Sequence, residues 1–275
     1  MSLADLEPLG LTPKTYQAGT PPLAYSEGPA NGPKLVLVHG LSGRRDSFIK
    51  VLPELTQHFH VFALDQRGHG QSGRQTPNYA LADYAGDLSA FLRNVTGPGA
   101  IVWGQSLGAA VTLYLLSEQP DLAGGVILED PPLTKAPPST KPSVFDFWLS
   151  LAESDLSEAE ISHALAARGD LSPFQVIYKS ETLFQLDPAV LRCALAGQVT
   201  AIDLGPALLS LPMPTLLIQG DPKAGGILPD AVLESLRPLP ANIRHYSMPG
   251  IGHKPHDQAP ERTCELVLEW YRSAF

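Results

Sequence analysis

Ser106 stands at the centre of Gly104-Gln105-Ser106-Leu107-Gly108, where the apolar run "AIVWG" gives way to the apolar stretch "LGAAVTLYLL". A reactive serine on a tight strand-to-helix turn needs that spacing, because its strained backbone leaves no room for side chains two positions away. The helix that follows points its N-terminus at Ser106, which favours negative charge developing there. A serine hydroxyl is a poor nucleophile until a base accepts its proton, so a histidine oriented by a carboxylate must lie within reach. Of the eight histidines, His253 in "PGIGHKPHDQAPE" fits best. It lies between the last expected strand and the last expected helix, at the carboxyl edge of the sheet, where Ser106 also falls. His256 makes an H-x-x-H spacing with it, but no third ligand is near and the loop is not helical, so metal binding is not expected. His69, in "DQRGHGQSG", reads as a residue that shapes a tight loop, and His58, His60, His163 and His245 as surface or strand-edge residues.

Two carboxylates compete to orient the base. Asp221 follows "TLLIQG" and precedes His253, giving the order Ser, Asp, His that the motif expects, and is favoured. Asp130, ending "GVILED", is the rival: it lies one strand after the nucleophile strand, also at a carboxyl edge. Glu129 beside it should point the opposite way in a strand. A tetrahedral intermediate also needs two amide donors. Leu107 N–H supplies one by position, and Leu41 N–H, in the turn "VHGLSG" that leaves another strand, offers the second.

The elements that must position these groups are visible as short apolar runs at 34–40, 60–65, 100–104 and 125–130, which read as strands buried on both faces, as in a parallel sheet. Tyr84, Leu88, Phe91, Leu92 and Val95 form the stripe of an amphipathic helix, so strand and helix alternate and the fold class is α/β. The alternation resumes at 214–220, with a helix near 229–237, a strand at 243–248 and a terminal helix from about Glu261, whose apolar stripe is Cys264, Val267, Leu268 and Tyr271. Between 131 and 212 it is suspended. That stretch opens on the proline-rich "PPLTKAPPSTKP", a hinge, and continues with helical material. It is expected to be an inserted helical cap over residues 133–212, on a core of 1–132 and 213–275. Phe145, Phe147, Trp148, Tyr178 and Phe184 in the cap are available to line an apolar pocket, though helix packing accounts for most of them.

Composition narrows the function classes. The 275 residues are 44% hydrophobic and 17% charged, with no apolar run long enough for a membrane helix. A net charge of −9 without a basic cluster argues against nucleic acid and anionic membranes as partners. The opening "MSLADLEPLGLTPKTY" lacks a secretory pattern, so a cytoplasmic location is expected. Cys193 and Cys264 are too few for a disulfide framework.

Taken together and in order, "VLVHGLSG", "FALDQRGHGQSG", "GQSLGA", "LLIQGD" and "GIGHKPHDQAPE" resemble the α/β-hydrolase superfamily over nearly the whole chain. The resemblance implies an eight-stranded, mostly parallel sheet, a lid inserted after the sixth strand, and a Ser-His-Asp triad. It does not imply a substrate. One departure bears on the acid: similar members place it a few residues beyond the glycine of "LLIQG", whereas Asp221 follows Gly220 at once, and some relatives use an acid after the sixth strand. A serine at the elbow disfavours the dehalogenase and epoxide-hydrolase branches, which need aspartate there. The expected activity is hydrolysis of a carboxylic ester, thioester or lactone of a small, largely apolar substrate by water, without cofactor or metal. Alternatives are carbon–carbon bond hydrolysis, cofactor-free perhydrolysis, or a ligand-binding receptor that retains the fold.

Overall fold

The computed structural model describes residues 3–17, 21–135, 142–200 and 202–275. Its centre is an eight-stranded sheet in the order β1-β2-β4-β3-β5-β6-β7-β8, built from β1 (Thr12–Tyr16), β2 (Leu23–Glu27), β3 (Lys34–Val38), β4 (His60–Leu64), β5 (Ala100–Gln105), β6 (Ala123–Glu129), β7 (Thr215–Gly220) and β8 (Ile243–Met248). β1 pairs antiparallel with β2, and β2 antiparallel with β4; the pairings among β3 to β8 are all parallel.

The unbroken apolar runs are explained by two hydrophobic cores, one on each face. Val36, Val38, Val102, Val126 and Leu128 enter one core, and the alternate residues Leu35, Leu37, Ile101, Trp103 and Ile127 enter the other. Helices α2 (Leu81–Phe91) and α3 (Leu107–Glu118) cover the first face, with Tyr84, Leu88 and Phe91 inward as their spacing predicts. Helix α1 (Leu52–His58) and the terminal helix cover the second, the latter through Cys264, Leu266, Val267 and Trp270. α3 is apolar nearly all round because inserted helices close over its outer side: Leu183, Val190 and Leu208 share its core.

Five of those helices lie between β6 and β7: α4 (Val144–Ala152), α5 (Glu158–Ala166), α6 (Pro173–Gln185), α7 (Pro188–Leu195) and α8 (Gly205–Ser210). Half of the expected proline hinge, residues 136–141, lies outside the described residues. The chain closes with α9 (Asp230–Ser235), the short α10 (Pro255–Gln258) and α11 (Pro260–Ala274). No helix among the described residues is long and apolar enough to cross a membrane.

Candidate active site

Ser106 sits between β5 and α3 with φ 53° and ψ −115°, a left-handed backbone that a non-glycine residue holds only where its surroundings enforce it. Two bonds do so: Ser106 N–H donates to Glu129 O at 2.9 Å, and Ala110 N–H donates to Ser106 O at 3.0 Å. The flanking glycines are sterically required. A Cβ on Gly104 would collide with the Gly108 carbonyl, and one on Gly108 with the Val38 carbonyl. The turn after β3 approaches equally closely, since a Cβ on Gly40 would strike the Gln105 side chain and come within 3.1 Å of Ser106 Cβ. That brings Leu41 against the elbow. Its amide has no hydrogen-bond partner among the described residues, and Leu107 N–H is one of the free amides that open α3.

His253 lies in the loop after β8. Its Nδ1–H donates to Asp130 Oδ2 at 2.7 Å, which leaves the Nε2 lone pair free to accept a proton. Nε2 accepts from Gln105 Nε2 at 3.3 Å, and the same amide donates to His253 O at 3.1 Å. No hydrogen bond joins His253 to the Ser106 hydroxyl among the described residues, although both belong to the β5 edge through Gln105. Asp130 is fully buried with φ 44°. Gly220 N–H and Leu228 N–H donate to Oδ1 at 3.2 and 3.3 Å, and Ile227 N–H donates to Oδ2 at 2.7 Å.

Asp221, the favoured acid from sequence, does not reach His253. Its Oδ1 accepts Lys223 N–H and its Oδ2 accepts Gly250 N–H, each at 2.8 Å, and these amides hold its carboxyl below the usual aspartate range. The reason is local: β7 ends at Gly220, so the next side chain caps the turn at 222–224 and ties it to the turn after β8. The left-handed Asp130 instead directs its carboxylate under the His253 loop.

Glu129 points to the other sheet face, as a strand residue beside Asp130 must. There it accepts from His256 N–H at 3.0 Å, from His256 Nδ1–H at 2.7 Å and from Trp103 Nε1–H at 2.9 Å. The H-x-x-H spacing places its two histidines on two adjacent carboxylates, His253 on Asp130 and His256 on Glu129. The turn after β3 is braced by two fully buried histidines. His39 Nε2 accepts Gln66 N–H at 3.1 Å, and His69 Nε2 accepts Ser42 N–H at 3.2 Å. Burial lowers His39 well below the ordinary histidine value and His69 to about 4, so both are neutral.

A cavity of about 250 Å³ borders His253, though not Ser106. Inserted helices supply Trp148, Tyr178 and Lys179 to its wall, and the His253 loop supplies Lys254 and His256. Of the aromatic residues expected as pocket candidates, Trp148 and Tyr178 line it, whereas Phe184 is 52% exposed. Lys179 escaped the sequence reading, yet it falls on the buried stripe of α6 with Val176, Ser180 and Leu183. A lysine in such a stripe is itself a signal.

A family model described as "alpha/beta hydrolase fold" matches residues 33–164. A 2-(acetamidomethylene)succinate hydrolase of Mesorhizobium japonicum is 27% identical over 261 residues, 87% of this chain and 88% of the relative. A pimeloyl-[acyl-carrier protein] methyl ester esterase of Edwardsiella ictaluri is 29% identical over 246 residues, 86% and 92% of the two chains. Among solved structures, an N-formylmaleamic acid deformylase from Pseudomonas putida superposes with a TM-score of 0.77 at 20% identity, covering 94% of this chain and all of that one. Family model, relatives and fold agree in likening the chain to the α/β-hydrolase superfamily.

Proposed function

We propose that the protein is a serine hydrolase that transfers the acyl group of a small ester, thioester or lactone to water, with Ser106 as nucleophile, His253 as base and Asp130 as orienting acid. The observation that carries this reading is the pairing of buried Asp130 with half-buried His253, 2.7 Å apart, beside a left-handed serine at the head of α3. Asp130 fixes the tautomer that leaves Nε2 able to accept the Ser106 proton. Nucleophile–base hydrogen bonds in free enzymes are commonly long and tighten when substrate binds, and Gln105 Nε2 holds the Nε2 lone pair in the meantime.

In the reaction Ser106 Oγ attacks the carbonyl carbon as its proton passes to His253 Nε2. The resulting oxyanion lies within reach of Leu41 N–H and Leu107 N–H, and loss of one such donor typically costs about a hundredfold to a thousandfold in turnover. The imidazolium returns its proton to the leaving group, and the acyl-Ser106 ester remains. Water, deprotonated by His253, then releases the acid and restores Ser106. The inserted helices act as a lid over the cavity. An amide substrate is a second reading, favoured by the relative named 2-(acetamidomethylene)succinate hydrolase, a name that describes a dicarboxylate bearing an acetamide.

The test is acid quenching during turnover of a p-nitrophenyl ester, followed by mass spectrometry. An acyl group on the peptide containing Ser106, absent in Ser106→Ala, is expected. Steady turnover that survives Ser106→Ala would refute the proposal.

A further inference from the structure

Lys179 and Lys254 both border the cavity beside His253, and among the described residues neither forms an ion pair with a carboxylate. An ammonium has three donors. Lys179 Nζ directs two of them to Ser42 O and Ser42 Oγ, each at 3.1 Å, and lies 4.1 Å from the centre of the Trp148 ring. Its third donor, and all those of Lys254, have no protein partner among the described residues. The carboxylates around the same space are already engaged. Asp46 pairs with Arg44 at 2.6 Å, Asp257 with Lys50 at 2.7 Å, and Glu129 with His256 at 2.7 Å. Holding two ammonium groups in one cavity without an ion-paired carboxylate is costly unless something else supplies the negative charge. The rest of the wall includes Ile49, Leu171 and Phe174, which suit a short carbon chain.

We propose that Lys179 and Lys254 form an anion site, and that the substrate is a small acyl compound carrying a carboxylate that binds between them while its scissile carbonyl approaches Ser106. This rests on the serine-hydrolase reading and specifies its substrate class. The cavity's roughly 250 Å³ is below the range of about 300–1,000 Å³ typical of drug-sized ligands, which suits a short dicarboxylic monoester or monoamide. Burial, reinforced by the charge of Lys254, lowers Lys179 well below the usual lysine range, and an incoming carboxylate reverses that penalty. Lys179 also ties α6 to Ser42, the neighbour of Leu41, so occupancy of the anion site is linked through one side chain to the oxyanion turn.

Two measurements on the full chain test this. The first is calorimetric titration with succinate and, in parallel, with inorganic phosphate, on wild type, Lys179→Met and Lys254→Met. The second is the ratio of kcat/KM for p-nitrophenyl hydrogen succinate to that for p-nitrophenyl butyrate, whose acyl chain ends in a methyl in place of the carboxylate. Succinate is expected to bind wild type more tightly than phosphate does, and each variant is expected to weaken it and to lower the ratio at least about tenfold. Lys254→Arg should restore part of both. If Lys179→Met fails to fold because Ser42 loses its partner, Lys254→Met decides alone. Ester turnover with one ratio in wild type and variants and no succinate binding would overturn the anion site while leaving the hydrolase reading intact. Lysine-dependent succinate binding without turnover of either ester would uphold the site and defeat the hydrolase reading. Phosphate binding as tight as succinate would overturn the carboxylate assignment.

Discussion

A carboxylate that steadies a transient imidazolium must be rigid and shielded from water, and Asp130 is both. Three amides and one imidazole converge on it in a fully buried position. Asp130→Asn is therefore expected to lower kcat about ten-thousandfold with a p-nitrophenyl ester, because the amide imposes the wrong tautomer. Asp221→Asn should change kcat by no more than about twofold, since Asp221 serves loop amides; a change comparable to that of surface substitutions elsewhere fits such a role. The position of Ser106 at the strand-to-helix turn and of His253 in the loop after β8 could be read from sequence because the motifs and the glycine spacing fix them. The acid could not. Asp130 and Asp221 both end strands, and the choice rests on one left-handed residue whose φ no residue type announces, since aspartate there is uncommon.

At the scale of elements, the loop bearing His253 is fastened through its neighbour. Glu129 receives both His256 donors, so Glu129→Gln should loosen the loop and lower kcat about tenfold to a hundredfold by misplacing the base. The turn after β3 is likewise held by neutral His39 and His69. Their folded values lie below the ordinary unfolded value near 6.5, so the unfolded chain binds protons first as pH falls. The stability that His69 supports is complete above about pH 6.5 and is lost as pH drops through about 4, roughly 3 kcal/mol in all, and neutral His39 acts in the same direction. Thermal unfolding followed from neutral pH to about pH 4 should show that loss, with a shallower slope in His69→Asn. Strands β3 to β7 were legible because burial on both faces writes continuous apolar runs, and α2, α3 and α11 through their apolar residues, whereas α1 was not read and β8 is a half-exposed edge strand. β1 was not legible: it is an exposed edge strand, "TPKTY", with no apolar signal, and β2 carries the mixed "LAYSE".

Across the whole molecule, the inserted helices are anchored to the sheet by a few polar joints. Asp187, capping α7 through Ala189 N–H at 3.0 Å, also accepts from Tyr79 OH at 2.6 Å and from Thr76 Oγ1. Asp187→Ala strands those donors, and a destabilisation of about 2–4 kcal/mol is expected. Calorimetry should show a Tm lower by roughly 2–4 °C for each kcal/mol. Arg44, buried against Asp46, makes a second joint through Glu181 at 2.7 Å. The inserted segment was legible as an interruption of the alternation, but the cavity was not, because Lys179 and Lys254 are 75 residues apart in sequence (254 − 179) and only the fold of α6 over the His253 loop brings them to one wall.

The most direct measurement is the rate at which a fluorophosphonate labels Ser106, mapped by mass spectrometry in wild type, His253→Ala, Asp130→Asn and Asp221→Asn. Rapid labelling at Ser106 that collapses in His253→Ala and Asp130→Asn and persists in Asp221→Asn is predicted. Labelling that depends on Asp221 and ignores Asp130, or that misses Ser106 in the folded wild type, would contradict the assignment of Ser106, His253 and Asp130 as one reacting unit.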